Sequence, residues 1–389
     1  MKKKVLLRAP ALSISGYGVH SRQVFRWLES RLDLDVFVQV LNWGDTSWMV
    51  NSDLEEGLVG RIMDKTIELQ DQQFDVSFQL QLPDEWDTKF AKKNIGMSAV
   101  VETDVCNPEW IKRMNMMDEV IVPTNHIYQT IMRTEPTTTR VHVIPESYIE
   151  AIDKKDVTML DMPTINTDFN FLLVGQFTGS DPWNDRKNIF LTIKWFCEAF
   201  ADDPDVGLII KANHGRGTMI DRAITKNTLK SILSEVRSGE FPKIHLIHGN
   251  LSPDEMAGIY RRPDVKCLIS LTRGEGFGLP IVEAAASGVP VMATNWSGHL
   301  DFLNLGKFIP IKYKLIEIPE NRVDNRIFLP GMKWADPNEQ DFKVKVKKFR
   351  NKYQLPKQWA EDLASRIRAE FSLSAVIEKY NNFYDSHIG

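Results

Sequence analysis

The 389-residue chain contains no apolar run of the roughly 18–20 residues needed to cross a bilayer. Its apolar opening, Val5-Leu6-Leu7, is cut by Arg8, so MKKKVLLRAPALS reads as a first β-strand and not as a signal peptide. Cysteine is scarce. Cys106, Cys197 and Cys267 are odd in number, widely spaced and set in apolar segments. That excludes a disulfide framework and a zinc-type pair, and fits core thiols in a reducing cytoplasm. No repeat of fixed period and no low-complexity tract is present, which excludes solenoids and disordered arrays. Neither sign of charge dominates: the net charge is −4. Residues 1–160 carry 18 Lys+Arg against 24 Asp+Glu, and the remainder 30 against 28. An acidic first half discourages polyanionic partners. One basic run, FKVKVKKFRNKY (342–353), puts Lys343, Lys347 and Arg350 on one helical face, the pattern of a solvated helix surface.

What is present is an alternation of strand and helix signals, which implies parallel sheets covered by helices. The length suits two domains of about 150–200 residues. In the first half KVLLRA reads as a strand, followed by a glycine loop, Ser13-Ile14-Ser15-Gly16-Tyr17-Gly18, and a helix HSRQVFRWLESRL. DVFVQVLNW, DVSFQLQL, GMSAVVETD, DEVIV and VHVIP read as further strands, and RIMDKTIELQ, PEWIKRMNMM and HIYQTIMRT as helices. Residues 153–168 are polar without a period and form the expected linker. FNFLLVGQF, VGLIIKAN, KIHLIHG, VKCLISL and VPVMATN restart the strand pattern, and two helices close the chain.

The chemistry concentrates in RGEGFGLPIVEAAASGVPVMATNWSGHLDF. Glu275 and Glu283, eight positions apart, bracket a glycine turn, and a helix begins at about Pro280, a residue pre-set for a first helical turn. Gly276 and Gly278 allow close approach of backbone to ligand. The helix N-terminus offers unpaired N–H groups and the positive end of a dipole, a ready site for phosphate. Glu283 is expected in the first helical turn. Such a site suits a molecule carrying both phosphate and hydroxyls, such as a nucleotide sugar.

This segment resembles the Glu-x7-Glu signature of the retaining glycosyltransferases of family 4, and in spacing, GFGLP core and following helix it is specific. The resemblance implies an α/β protein of the GT-B fold, two Rossmann-like domains with parallel sheets facing across a cleft. It implies an acceptor-side domain at 1–160, completed by a C-terminal helix at about 374–389, and a nucleotide-sugar domain at 161–373. It implies sugar hydroxyls on Glu275, ribose hydroxyls on Glu283, and backbone N–H groups of Gly276, Phe277, Gly278 and Leu279 on sugar and phosphate. Within VGQFTGSDPWNDRKN (174–188), Lys187 matches the family's diphosphate lysine, whereas Gln176 stands where many members have arginine; Arg186 is expected to supply that charge. Gly249, Asn250 and Leu251 of HGNLSPDEM resemble the loop that holds the base. Gly16, Tyr17 and Gly18 would face the diphosphate from the first domain. Where many members carry a histidine at a strand end, this chain reads VVETD, so Glu102 or Asp104 would take that polar role, or Asp or Thr would cap the helix at Pro108. His20, after the glycine loop, is a second candidate cleft residue, or else a packed or solvated histidine.

The implied activity is retaining transfer of a hexosyl or pentosyl group from a nucleotide-diphosphate donor, UDP-sugar foremost, without a cofactor and without an essential metal. Asp33-Leu34-Asp35 matches a metal-binding Asp-x-Asp by chance position between a helix and a strand. The acceptor stays open between a glycan, a small molecule and a hydroxymethylated base of phage DNA, since SGYGVHSR with DRKN also resembles enzymes of tailed phages. Trp43, Trp48, Trp86 and Trp110 are aromatic rings that stack on a sugar or base, or else edge the core. A non-catalytic sugar-binding module and a sugar-nucleotide epimerase are the readings from other classes; retention of both glutamates disfavours the first.

Overall fold

The computed structural model describes residues 2–68, 73–162, 165–177, 181–213, 215 and 217–389. In chain order the first elements are β1 (Lys3–Ala9), α1 (Gly16–Ser30), β2 (Leu34–Val40), α2 (Leu58–Asp64), β3 (Phe74–Leu80) and β4 (Ala91–Met97). They continue with α3 (Pro108–Met114), β5 (Glu119–Val122), α4 (Asn125–Thr134) and β6 (Val141–Val143). Then follow β7 (Phe169–Gln176), α5 (Ile189–Ala199), β8 (Val206–Asn213), α6 (Met219–Val236), β9 (Lys243–His248) and α7 (Pro253–Tyr260). After these come β10 (Val265–Ser270), α8 (Leu279–Ala286), β11 (Val291–Thr294), α9 (Leu300–Leu303) and β12 (Ile309–Ile311). A hairpin, β13 (Tyr313–Glu317) and β14 (Lys333–Pro337), precedes α10 (Glu339–Asn351), α11 (Gln354–Phe371) and α12 (Leu373–His387).

Two compact units result, one of residues 1–147, 326–329 and 371–389, the other of 148–325 and 330–370. Each holds a six-stranded sheet, and every strand pair in both is parallel. These are the two Rossmann-like sheets of the GT-B fold. Apolar runs such as Val5-Leu6-Leu7 and Leu208-Ile209-Ile210, buried on both faces, are what a parallel sheet between helical layers demands.

In the first unit the strand order is β2-β1-β3-β4-β5-β6. Trp27 of α1 stacks on Tyr380 of α12 at 4.7 Å and meets Phe78 edge-on at 5.2 Å, so the last helix belongs to this core. His20 is part of the same seam: its Nε2 lies 3.0 Å from the Tyr380 hydroxyl, and burial pushes its imidazole down to about 3. In the second unit the order β12-β11-β10-β7-β8-β9 is the doubly wound pattern in which the chain reverses between β7 and β10.

Several sequence expectations shift. Gly16-Tyr17-Gly18 is not a loop: it forms the first turn of α1, capped by the Ser15 hydroxyl accepting from Gly18 N at 3.0 Å. The helix expected at 61–70 is displaced to Leu58–Asp64, because Thr66 leaves it to bridge Val38; Leu69 and Gln70 lie outside the described residues. The strand expected at 96–104 is β4, which ends at Met97, and Val100 adopts φ +51 in the bend that follows. The expected linker does not run free. Arg261 donates to the carbonyls of Ile152, Lys154 and Val157, and Arg262 to that of Leu160, pinning the segment on α7. Pro163 and Thr164 of that linker lie outside the described residues.

Gly18 shows how tightly α1 seats. A Cβ there would lie 1.9 Å from the Ser13 carbonyl oxygen. We expect Gly18→Ala to destabilise the first unit by about 2–4 kcal/mol through forced displacement of the helix, with exposed Gly16→Ala near neutral. Urea unfolding of the two variants measures it; equal midpoints would refute the close-packing argument.

Candidate donor site

In a doubly wound sheet, ligands bind beyond the carboxyl ends of the strands where the chain reverses. In the second unit that place lies between β7 and β10. The segment following β7 carries Arg186 and Lys187 just before α5, and the one following β10 carries Arg273 to Gly278 before α8. Thr178, Gly179 and Ser180 of the loop after β7 lie outside the described residues.

The Glu275 carboxylate is the centre. It is 7% exposed, and both its oxygens accept from Lys187 Nζ, at 2.7 and 2.8 Å. Arg186 Nη1 stands 3.6 Å from the same carboxylate and donates to the Gly274 carbonyl at 2.6 Å. Burial pushes this carboxyl up, but the charges of Lys187 and Arg186 outweigh it and hold the group down at about 2. Its backbone is fixed as well. Glu275 N donates to Ser297 Oγ at 2.9 Å, and His299 Nδ1 lies 3.4 Å from that oxygen. His299 Nε2 faces the Thr294 carbonyl at 2.7 Å, so it carries the proton and Nδ1 is the acceptor. Gly298 meets this strand so closely that a Cβ would lie 2.1 Å from Gly276 O.

The turn after Glu275 is made by Gly278, whose φ of +105 is left-handed backbone that glycine adopts without strain. Gly278 is the N-cap of α8 and provides no side chain, so the N–H groups of the first turn are not met by a capping side chain. Phe277 is buried against Phe302 at 5.3 Å, anchoring the turn from below. The helix starts at Leu279, one residue before the expected proline. Glu283 is therefore its fifth residue and not in the first turn, which carries no acidic residue.

Glu283 occupies a different environment. It is 7% exposed, and its Oε2 accepts from the Tyr260 hydroxyl at 3.0 Å. Burial drives its carboxyl up to about 7, with the Tyr260 hydrogen bond and the Lys211 charge pulling the other way. Sequence reasoning missed Lys211, Tyr260 and Arg273. Arg273 is fully buried, pairs with Asp336 at 2.7 Å and lies 5.7 Å from the Trp334 ring centre, and its carbonyl accepts from Ala335 N at 2.9 Å. The lone lysine inside the apolar run VGLIIKAN was the one available signal for Lys211.

The other sequence candidates fall as follows. Gly249, at φ +117, and Asn250 follow β9, with Asn213 Nδ2 donating to Asn250 Oδ1 at 2.6 Å; Leu251 is half-buried ahead of the Ser252 cap. Gln176 is exposed at the end of β7. Within the first unit, Tyr17 stacks on Trp43 at 4.0 Å and its hydroxyl accepts from Ala99 N at 3.0 Å. Glu102 and Asp104 lie in the bend after β4, and the cap of α3 is Asn107, not either of them. Trp86 and Trp110 are core residues, whereas Trp48 is 41% exposed. Asp33 is engaged by Arg31 at 3.0 Å. Of the basic face of α10, Lys343 pairs with Glu198 and Glu339 and Arg350 with Asp203, while Lys347 is exposed. Among the described residues, one group offers three candidate metal ligands, Glu119, His142 and His387, but Arg140 already engages Glu119 at 2.8 Å.

Residues 183–315, inside the second unit, match the family model described as glycosyl transferases group 1. No curated protein matches the chain. Similar solved structures include a glycosyltransferase from Rickettsia africae, 15% identical with a TM-score of 0.68, covering 100% of this chain and 99% of its own. Sucrose-phosphate synthase from Thermosynechococcus elongatus is 13% identical with a TM-score of 0.65, covering 99% of each chain. HepE from Anabaena, solved with UDP-glucose, is 12% identical with a TM-score of 0.63, covering 99% of this chain and 100% of its own. Residues 183–315 are thus similar to group 1 glycosyl transferases, and the chain as a whole shares the GT-B fold of these structures. No helix among the described residues is long and apolar enough to cross a membrane.

The two carboxyls bend stability in opposite directions with pH. Glu283 is raised from 4.5 to about 7, so between those values the folded chain holds the extra proton and its stability falls as pH rises. Glu275 is lowered, so its contribution is present above 4.5 and lost as pH falls towards about 2. We expect Glu283→Gln to gain on the native protein by roughly 3 kcal/mol between pH 4.5 and 7.5, a comparison in which shared groups such as His20 cancel. Urea unfolding at both pH values measures it; a pH-independent difference would contradict a neutral buried Glu283.

Proposed function

We propose that the chain is a family 4-like retaining glycosyltransferase that moves a sugar from a nucleotide-diphosphate donor, a UDP-sugar, to an acceptor hydroxyl. One observation carries the reading: an ionised, buried Glu275 joined to Lys187 and Arg186 beside the uncapped N-terminus of α8, within the segment that matches group 1 glycosyltransferases. HepE, solved with UDP-glucose, supports the donor class.

In this reading the donor's diphosphate lies against Lys187, Arg186 and the N–H groups of Gly276 to Leu279, which meet the negative charge that grows on the leaving group. Glu275, kept ionised, accepts hydrogen bonds from the sugar hydroxyls. Glu283 takes the ribose hydroxyls, and its proximity to Lys211 favours the ionised form once a polar ligand fills the space. The acceptor oxygen bonds to the sugar's anomeric carbon as the carbon–phosphate-oxygen bond breaks, and its proton passes to a donor phosphate oxygen. Attack and departure on one face retain configuration. Lys187 and Arg186 supply the positive charge, so no metal or cofactor enters the scheme. The acceptor is a glycan or small hydroxyl compound, with Glu102 and Asp104 as the first unit's polar groups for it and Gly16 to Gly18 assigned to the donor diphosphate. The acidic balance of residues 1–160 weighs against a DNA acceptor.

The test is binding and hydrolysis of UDP-, GDP- and ADP-sugars by the native chain, Glu275→Gln and Lys187→Met. We expect one donor to raise the melting temperature and to be slowly hydrolysed, with hydrolysis lowered about 100-fold in Lys187→Met. No response to any donor by the folded native chain would overturn the reading.

A further inference from the structure

At the carboxyl ends of β8 and β9, a chain of side chains runs from the sheet interior to the base-loop surface. Lys211 of β8 is 8% exposed, and burial pushes its ammonium down to about 8, with Glu283 partly opposing. Among the described residues its ammonium makes one hydrogen bond, to Asn213 Oδ1 at 3.1 Å, and has no carboxylate within 4 Å. An ammonium only donates, so this bond fixes which end of the Asn213 amide is oxygen. Gly249 N donates to the same oxygen at 3.2 Å, in agreement. Asn213 Nδ2 therefore points away and donates to Asn250 Oδ1 at 2.6 Å. With one lone pair of its oxygen engaged by Asn213, the exposed Asn250 amide turns its Nδ2 away from that bond, 3.4 Å from where a Cβ on Gly217 would lie. The space over Gly249 is open, with nothing within 4 Å of where a Cβ would be. A buried, singly bonded cation costs stability that methionine would not, so its presence needs a reason beyond folding.

Resting on the donor reading above, we propose that Lys211 is a positioning residue for base selection. Through Asn213 it locks the Asn250 amide with its NH2 outward, so the site selects a nucleotide whose base presents a carbonyl oxygen, as uracil or guanine does, over one presenting an amino group there, as cytosine or adenine does.

The experiment is calorimetric titration of the native chain, Lys211→Met and Asn250→Asp with UDP, GDP, CDP and ADP. We expect UDP or GDP to bind the native chain about tenfold more tightly than CDP and ADP. Lys211→Met should bring that ratio to within about threefold, and Asn250→Asp, whose carboxylate only accepts, should reverse it. The Asn250 change is at an exposed position, so it keeps the test intact if the Lys211 variant does not fold. Binding without base preference, or preference unchanged in both variants, overturns this inference and leaves the donor reading standing. A native chain that binds none of the four overturns the donor reading and this inference with it.

Discussion

A carboxylate removed from water must find positive charge, and Glu275 finds it in Lys187, at 2.7 Å, and Arg186, at 3.6 Å. That requirement ties the segment after β7 to the segment after β10, which are far apart in sequence but adjacent in the sheet because β7 and β10 pair directly. The contacts around it serve the same end. Ser297, oriented by His299, holds the Glu275 amide; the missing side chain of Gly298 lets its backbone press against Gly276; Arg273 ties the strand end to β14. A charge held in this way is already oriented before any ligand arrives, the condition under which electrostatic stabilisation acts without reorganisation.

The sequence was most legible where geometry is local. The pair of glutamates, the intervening glycines and the proline specify a strand–turn–helix by backbone chemistry alone, and parallel strands betray themselves as unbroken apolar runs. Legibility failed where distant segments decide. Nothing local indicates that Lys187 closes on Glu275, since an exposed loop cation and a buried clamp read alike in sequence. Lys211 is illegible in sequence because one lysine among VGLIIKAN looks like a strand-edge charge, and only the folded sheet shows it buried. Gly18 misleads for a related reason: glycine there reads as a loop, whereas the residue is small because the Ser13 carbonyl occupies the place of a side chain.

Two carboxyls eight residues apart differ in the folded chain by about five pH units, from about 2 at Glu275 to about 7 at Glu283. Burial is common to both, so it cannot be the cause of the difference. The cause is company: Glu275 has two cations within 4 Å, whereas Glu283 has a neutral hydroxyl and only the more distant Lys211. Groups driven apart in this manner take different tasks. On the proposed function, one is a standing negative charge for hydroxyl donors, and the other gains or loses its charge with what occupies the space before it.

The same contrast separates the two units. Both present the carboxyl ends of a parallel sheet at a point of chain reversal, between β7 and β10 in one and between β1 and β3 in the other. In the second unit that position is filled with charge and glycine, a composition that suits a phosphate and a close backbone approach. In the first it is filled by the Tyr17–Trp43 stack and the Tyr17 hydroxyl bound to Ala99 N, a rigid aromatic corner with modest polarity. A phosphate-bearing ligand imposes strict electrostatic demands that leave a recognisable pattern of residues. An aromatic platform is satisfied by many flat or apolar ligand faces, and for that reason this chain states its donor chemistry more plainly than its acceptor.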